Sequence, residues 1–214
     1  MSYDIISFCF MINNKDIIDC FNIAYSKTIN HNSIIKDYDE VKSDNDIGFK
    51  LLCNKKRSCY VLLVHFSESL IATDFKRKII QFLDNTEEYM DFENGKCDRS
   101  VYDKACQILN KIAPNIGNFT INKFFCVGFY DGGSISSAIV TIIRHNYYKK
   151  IEYHEMFERF KNNIYGIVFA AFQTFSPEIN ELTRNSILNF ALENEKYINF
   201  NLKQTFPGTF LNLG

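Results

Sequence analysis

Short apolar runs alternate along the chain with amphipathic stretches. Residues 5–12 form a first apolar run that reads as a strand, and 15–28 sets Ile17, Ile18, Phe21 and Ala24 at the spacing of one buried helix face. The stretch 30–46, rich in asparagine, aspartate and lysine, keeps neither period and reads as loop or broken helix. Residues 47–53 and 58–66 read as two strands. The intervening Asn54-Lys55-Lys56-Arg57 predicts a hairpin turn, because asparagine tolerates positive φ. Asp74 then opens a helix carrying Phe75, Ile79 and Phe82, with its carboxylate in the first turn, where the helix dipole favours negative charge.

Residues 98–112 place Val101, Ala105, Ile108, Leu109 and Ile112 on one helical stripe, ended by Pro114 and Gly117. Apart from Asn122 and Lys123, residues 121–127 are continuously apolar, the pattern of a central parallel strand covered on both faces. A tight turn over 128–133 leads into a helix over 134–148, with Asp131 suited to cap it. A second buried strand is expected over 164–172, a helix opened by Pro177 over 177–194, and a last strand over 197–202. This alternation after an antiparallel start predicts right-handed crossovers. The fold class expected is α/β: a mainly parallel sheet flanked by helices, in one domain over 1–214 with no internal repeat or linker.

Composition narrows the functions open to such a domain. Lysine and arginine total 24 against 25 acidic residues, so no net field attracts nucleic acid or an anionic membrane. The triplets Lys55-Lys56-Arg57 and Lys76-Arg77-Lys78 sit beside apolar runs and read as a solvated strand end and a helix face. No run reaches the length of a membrane span. Residues 1–12 lack a basic start and a small-residue cleavage site, and Asp4 interrupts their apolar run, so the expected location is cytosol or nucleus. Accordingly, the Asn118-Phe119-Thr120 sequon is expected to stay unmodified.

Seven cysteines show no CxxC spacing, which argues against a zinc site, and nothing implies a cofactor. Cys9, Cys59 and Cys126 in strands and Cys106 on a helix read as buried thiols, while the odd number leaves a route to a disulfide between chains. His65 is expected in the core, and His145 and His154 on the surface. The abundance of isoleucine, asparagine, lysine, phenylalanine and tyrosine, with no tryptophan and three prolines, follows A/T-rich codons and reports the source genome, of the kind large DNA viruses carry.

The most informative segment is Phe124-Phe125-Cys126-Val127-Gly128-Phe129-Tyr130-Asp131-Gly132-Gly133. Glycines stand on both sides of one residue at a strand-to-helix turn, the arrangement that lifts a side chain above a sheet. It resembles the Gly-His-Ser-Leu-Gly-Gly elbow of the class 3 (fungal-type) lipases, with Gly128, Gly132 and Gly133 in register. Upstream, the apolar run from Tyr60 to Val64, then His65-Phe66-Ser67-Glu68-Ser69 and Asp74-Phe75, resembles that family's strand, its Phe-Arg-Gly-Thr oxyanion turn and its Asp-Trp helix start. The gap between the two blocks has room for the family's two helices. Downstream, 165–175 is a weaker match to a Phe-Gly-Xaa-Pro-Arg segment, so the resemblance covers residues 15–205. It implies an α/β-hydrolase domain.

The departures bear on chemistry. Serine acyl transfer needs a hydroxyl nucleophile, a histidine base, a carboxylate to orient it and donors aimed at the oxyanion. The serine position is Tyr130, the preceding histidine position is Phe129, and Glu68 stands where the family has glycine in the oxyanion turn. In the family the base follows the elbow by two more strands. Here His145 and His154 come too soon, and none follows them in this sequence. The resemblance therefore implies a degenerate elbow (Gly128, Tyr130, Gly132, Gly133) and a degenerate oxyanion turn (Ser67, Glu68, Ser69), with no catalytic residue. The alternative is a hydrolase with a relocated site built from Ser67, Glu68, Tyr130 and Asp131.

A near-neutral, tyrosine- and phenylalanine-rich chain of viral-type composition also resembles the occlusion-body matrix proteins of insect viruses, the polyhedrin-like proteins of nudiviruses among them. That resemblance implies a structural protein whose partner is itself, packing into a lattice in the cytoplasm or nucleus of an infected cell.

Overall fold

A computed structural model of the chain describes residues 38–64, 89–118, 120–169, 171, 175–191 and 209–212. The expected strand at 5–12, helix at 15–28, helix from Asp74, strand at 197–202, His65, Cys9, Cys20 and the triplet Lys76-Arg77-Lys78 lie outside the described residues. Within them run nine strands: β1 Asp39–Asp44, β2 Phe49–Asn54, β3 Cys59–Val64, β4 Tyr89–Phe92, β5 Gly95–Asp98, β6 Lys123–Phe129, β7 Ile164–Phe169, β8 Ile187–Ala191 and β9 Thr209–Asn212. Three α-helices join them: α1 Arg99–Ile112, α2 Tyr130–His145 and α3 Pro177–Thr183.

Seven strands form one sheet in the order β1-β2-β3-β6-β7-β8-β9. β1, β2 and β3 pair antiparallel, and every later pairing in that sheet is parallel. β4 and β5 make a separate hairpin. The expected architecture, an antiparallel start followed by a parallel sheet with helices, is the one observed.

The β2–β3 hairpin forms where the apolar pattern places it, with Leu51 opposite Leu62 and Asn54 opposite Cys59. Its turn works differently from the expectation. Asn54 keeps an ordinary backbone and accepts a hydrogen bond from the Arg57 N–H at 3.0 Å, while the positive φ (53°) falls on Ser58. Ser58 is held there from outside: its hydroxyl donates to the Thr120 carbonyl at 2.5 Å, and its carbonyl accepts from Asn122 and Lys123 at 3.3 Å. The hairpin is thereby tied to the start of β6.

Residues 39–44, expected in a loop, are the edge strand β1. Its polar residues face solvent, and only Val41 packs against the core, so the period-two signal is almost erased. What makes it a strand is a partner: pairing with β2, reinforced by Lys50 to Glu40 at 3.0 Å. The turn into β2 is closed by Asp44, whose carboxylate accepts from the Asp46 and Ile47 N–H groups at 3.1 Å.

α1 follows its prediction closely. Asp98 caps it by accepting from the Val101 N–H at 3.1 Å, and Val101, Ala105, Ile108, Leu109 and Ile112 are all buried. Pro114 sits in the short 3-10 turn that ends it. α1 and α2 cover one face of the sheet, packing on Phe49, Leu62, Phe124 and Cys126. The other face carries a second apolar cluster with Leu52, Val61, Leu63, Val127 and Ile167.

The helix expected over 177–194 is a short helix and a strand. α3 stops at Thr183, and β8 begins at Ile187. Ile187 faces one core and Leu188 and Phe190 the other, which is the alternation of a strand pinned against Val168 and Phe169 of β7. A further strand, β9, pairs parallel to β8. The buried strands expected at 121–127 and 164–172 are present with shifted ends, as β6 and β7.

Candidate functional site: a glycine-packed elbow

The strand-to-helix turn is tighter than a 128–133 loop. β6 runs through Phe129, and α2 begins at Tyr130, so no loop residue intervenes and the helix starts four positions earlier than expected. It also ends earlier, at His145, with Asn146 in a left-handed cap (φ 59°). Phe129 occupies the N-cap position in an extended conformation without a side-chain hydrogen bond, and Asp131 lies inside the first turn instead of capping it. The dipole still favours a carboxylate there.

The glycines are required by close approach. A Cβ on Gly128 would overlap the Gly132 carbonyl and come within 2.7 Å of the Gly133 nitrogen. A Cβ on Gly133 would lie 3.0 Å from the Ala171 Cβ, just beyond β7. Strand end and helix start are therefore in backbone contact.

Three strands end level with this turn. Val64 of β3 pairs with Gly128, and Phe169 of β7 pairs with Phe129. Phe129 stacks on Phe169 at 4.7 Å between ring centroids, and Phe169 on Phe190 of β8 at 5.4 Å. The chain leaving β3 thus starts beside the elbow. Ser67, Glu68 and Ser69 themselves lie outside the described residues.

Other candidate nucleophiles are sequestered. Ser134, Ser136 and Ser137 on α2 are fully buried, and Ser137 donates back to the Gly133 carbonyl at 2.8 Å. The thiols expected to be buried at Cys59, Cys106 and Cys126 are so, as are Cys53 and Cys97. Burial pushes Cys59 and Cys106 up to about 11 and Cys126 well above the usual range, which keeps them protonated at neutral pH.

Neither described histidine reaches the elbow along its own element. His145 ends α2, about 22 Å of helix from Tyr130. Expected on the surface, it is instead half-buried, and burial followed by the neighbouring Arg144 cation holds its imidazole below the ordinary value. His154 is exposed and stacks on Tyr148 at 5.3 Å. Among the described residues, no cluster of three histidine, cysteine or acidic side chains is placed to hold a metal, and no helix is long and apolar enough to cross a membrane. An open cleft of about 680 Å³ lies between the β4–β5 turn and α3, lined by Glu93, Lys96, Ser176 and Glu178 among others, and by none of the elbow residues.

This arrangement of sheet, elbow and helices matches solved structures. Lipase II from Rhizopus niveus superimposes with a TM-score of 0.64 at 13% identity, covering 93% of this chain and 80% of that one. The lipase from Rhizopus microsporus var. chinensis gives 0.64 at 10% identity, covering 93% and 74%. The Rhizomucor miehei lipase propeptide complex gives 0.53 at 12% identity, covering 90% of this chain and 62% of that one. The fold is α/β-hydrolase-like. At such identities the likeness concerns the fold alone. No family model matches the sequence, and no curated protein matches it.

Proposed function

We propose that this chain uses a lipase-like fold for structural or binding work and does not catalyse ester hydrolysis. The observation that carries the reading is Tyr130 at the first position of α2, between Gly128 and Gly132, where the fold's nucleophile stands. A phenol is bulkier than a serine hydroxyl and is a poor substitute for an activated serine. Supporting it, the only described histidines lie at the far end of α2 and beyond, where neither is positioned as a base for that turn. The test is hydrolysis of short-chain p-nitrophenyl esters by purified protein. The expected rate equals the buffer rate for both wild type and Tyr130→Phe. Turnover that Tyr130→Phe abolishes would establish the relocated-site hydrolase instead.

The finer reading is self-assembly into a lattice of the occlusion-body kind. What supports it is the balanced charge, 24 basic against 25 acidic residues, which removes the repulsion that keeps copies apart. Two parts of its motive are narrowed by burial. Tyr60, Tyr102, Tyr147 and Tyr165 are committed to the interior, so their area is not offered to neighbours. The five described cysteines are buried too, which leaves cross-linking between chains to Cys9 and Cys20. Expression of the chain alone followed by electron microscopy, with and without reductant, checks the idea. Ordered particles are expected, and a freely soluble monomer at high concentration would sink it.

A further inference from the structure

The open cleft of about 680 Å³ between the β4–β5 turn and the start of α3 has walls that are already built. The Lys96 N–H donates to Ser176 Oγ at 3.1 Å, and the Ser176 N–H donates to the Lys96 carbonyl at 2.9 Å. Asn94 Nδ2 donates to the Tyr147 hydroxyl at 3.4 Å, which ties the turn to the segment after α2. Gly95 holds φ 141°, a conformation that other residues rarely adopt, and a Cβ there would overlap Ser176 Oγ and lie 3.5 Å from Glu178 Oε2. The Glu178 carboxylate therefore stands against the turn. Such a wall needs little ordering when a partner arrives.

The lining has a sign and an apolar strip. Glu93 from the turn and Glu178 from α3 bring carboxylates to its two sides, and both are exposed. Lys96, the cation of the lining, is paired with Asp91 at 3.5 Å. Pro177 and Leu182 supply the apolar part, and Leu182, 39% exposed, is one of two large apolar side chains left exposed among the described residues. Carboxylates beside a short apolar strip suit a lysine side chain, which lays its alkyl stem on apolar surface and presents its charge beyond it.

The chain itself carries such a group. At the tip of the β2–β3 hairpin Lys55 and Lys56 are both exposed. Lys55 reaches Asp39 at 3.6 Å, but both side chains are 72% exposed, so the pair is held weakly. The tip is anchored on both sides, by the Arg57 N–H on Asn54 Oδ1 and by the Ser58 hydroxyl on the Thr120 carbonyl. No tip residue lines the cleft of its own chain, so the match is between copies.

We propose that the Lys55-Lys56 hairpin tip of one copy docks in the Glu93–Glu178 cleft of another, and that this contact builds the assembly. It rests on the self-assembly reading and gives that reading the two surfaces it needs. Tip and cleft are different patches of one chain, so a docked pair still offers one of each, and the contact can propagate from copy to copy.

The experiment is a charge swap on the full chain at low ionic strength, read by light scattering and electron microscopy. Lys55→Glu/Lys56→Glu reverses the tip, and Glu93→Lys/Glu178→Lys reverses the cleft. Each variant alone is expected to need at least about a tenfold higher concentration than wild type to assemble, because like charges then face each other. An equimolar mixture of the two is expected to recover, since the reversed tip matches the reversed cleft and the native tip the native cleft. If the double cleft variant does not fold, Glu93→Lys, which leaves Glu178 against Gly95, carries the same comparison. Wild type that assembles, with variants that assemble equally well alone or a mixture that does not recover, overturns the docking contact and leaves the self-assembly reading standing. Wild type that stays monomeric at high concentration overturns both.

Discussion

The two ends of the parallel sheet use their close-packed residues in opposite ways. At the elbow end, Gly128, Gly133 and Ala171 remove side-chain volume so that the β6 and α2 backbones touch, and α2 opens on Tyr130. At the other end, Arg144, His145 and Ser186 put polar atoms into the interior without matching them. One end is sterically exacting. The other buries polar atoms that lack hydrogen-bond partners. The lesson is that one sheet can be fixed at its two ends by different constraints, close approach of main chain at one and burial of polar side chains at the other.

Substitutions should separate the two ends by sign as well as size. Gly128→Ala should cost about 4 kcal/mol or abolish folding, because the new methyl group overlaps main chain that cannot rotate away. Gly133→Ala should cost about 1–2 kcal/mol, since Ala171 can give slightly. Gly117→Ala, with nothing near its Cβ, should be almost neutral. Urea denaturation of the three variants checks the ranking, and equal effects at Gly128 and Gly117 would break the packing argument.

Ser186→Ala should act in the other direction, raising stability by about 1 kcal/mol, because it removes a buried hydroxyl that has no partner. A loss of stability on this substitution would mean that Ser186 is matched after all.

Smaller effects should appear with pH. Burial raises the phenols of Tyr60 and Tyr165, so the unfolded chain ionises first, and their contribution is present below the ordinary tyrosine value and lost as pH rises through about 10. Any assembly should therefore dissolve at alkaline pH together with loss of the fold, which circular dichroism alongside light scattering would register. Dissolution with an intact fold would return the tyrosines to the contacts between copies.

The smallest effect expected is at His145. Its folded imidazole is held below the ordinary value by burial and by Arg144, so the unfolded chain takes up the proton first. Stability from this group is complete above about 6.5 and lost as pH falls below it, and His145→Gln should flatten that limb of the denaturation curve.

Much of this was legible in the chain. The β2–β3 hairpin, α1 and the central strands carry strong local periods and caps, and the glycine spacing at 128–133 disclosed the strand-to-helix turn. β1 was hidden because an edge strand with solvent on one side and few core contacts shows almost no apolar alternation. The split of 177–194 was hidden because its apolar residues satisfy a helical spacing over a short window as well as a strand's, and only β7 and β9 on either side choose between them.

What the sequence by itself determined is composition, charge balance, the α/β pattern and the identity of residue 130, all of which are properties of neighbouring positions. Tertiary structure decided the rest. Whether Gly128 is needed for its backbone angle or for its missing side chain, whether Ser58 instead of Asn54 takes the left-handed conformation, and whether the Ser186 hydroxyl is buried depend on segments distant in sequence being brought together. Packing and unmatched charge are properties of pairs of residues, and the pairs exist only once the sheet has set its register.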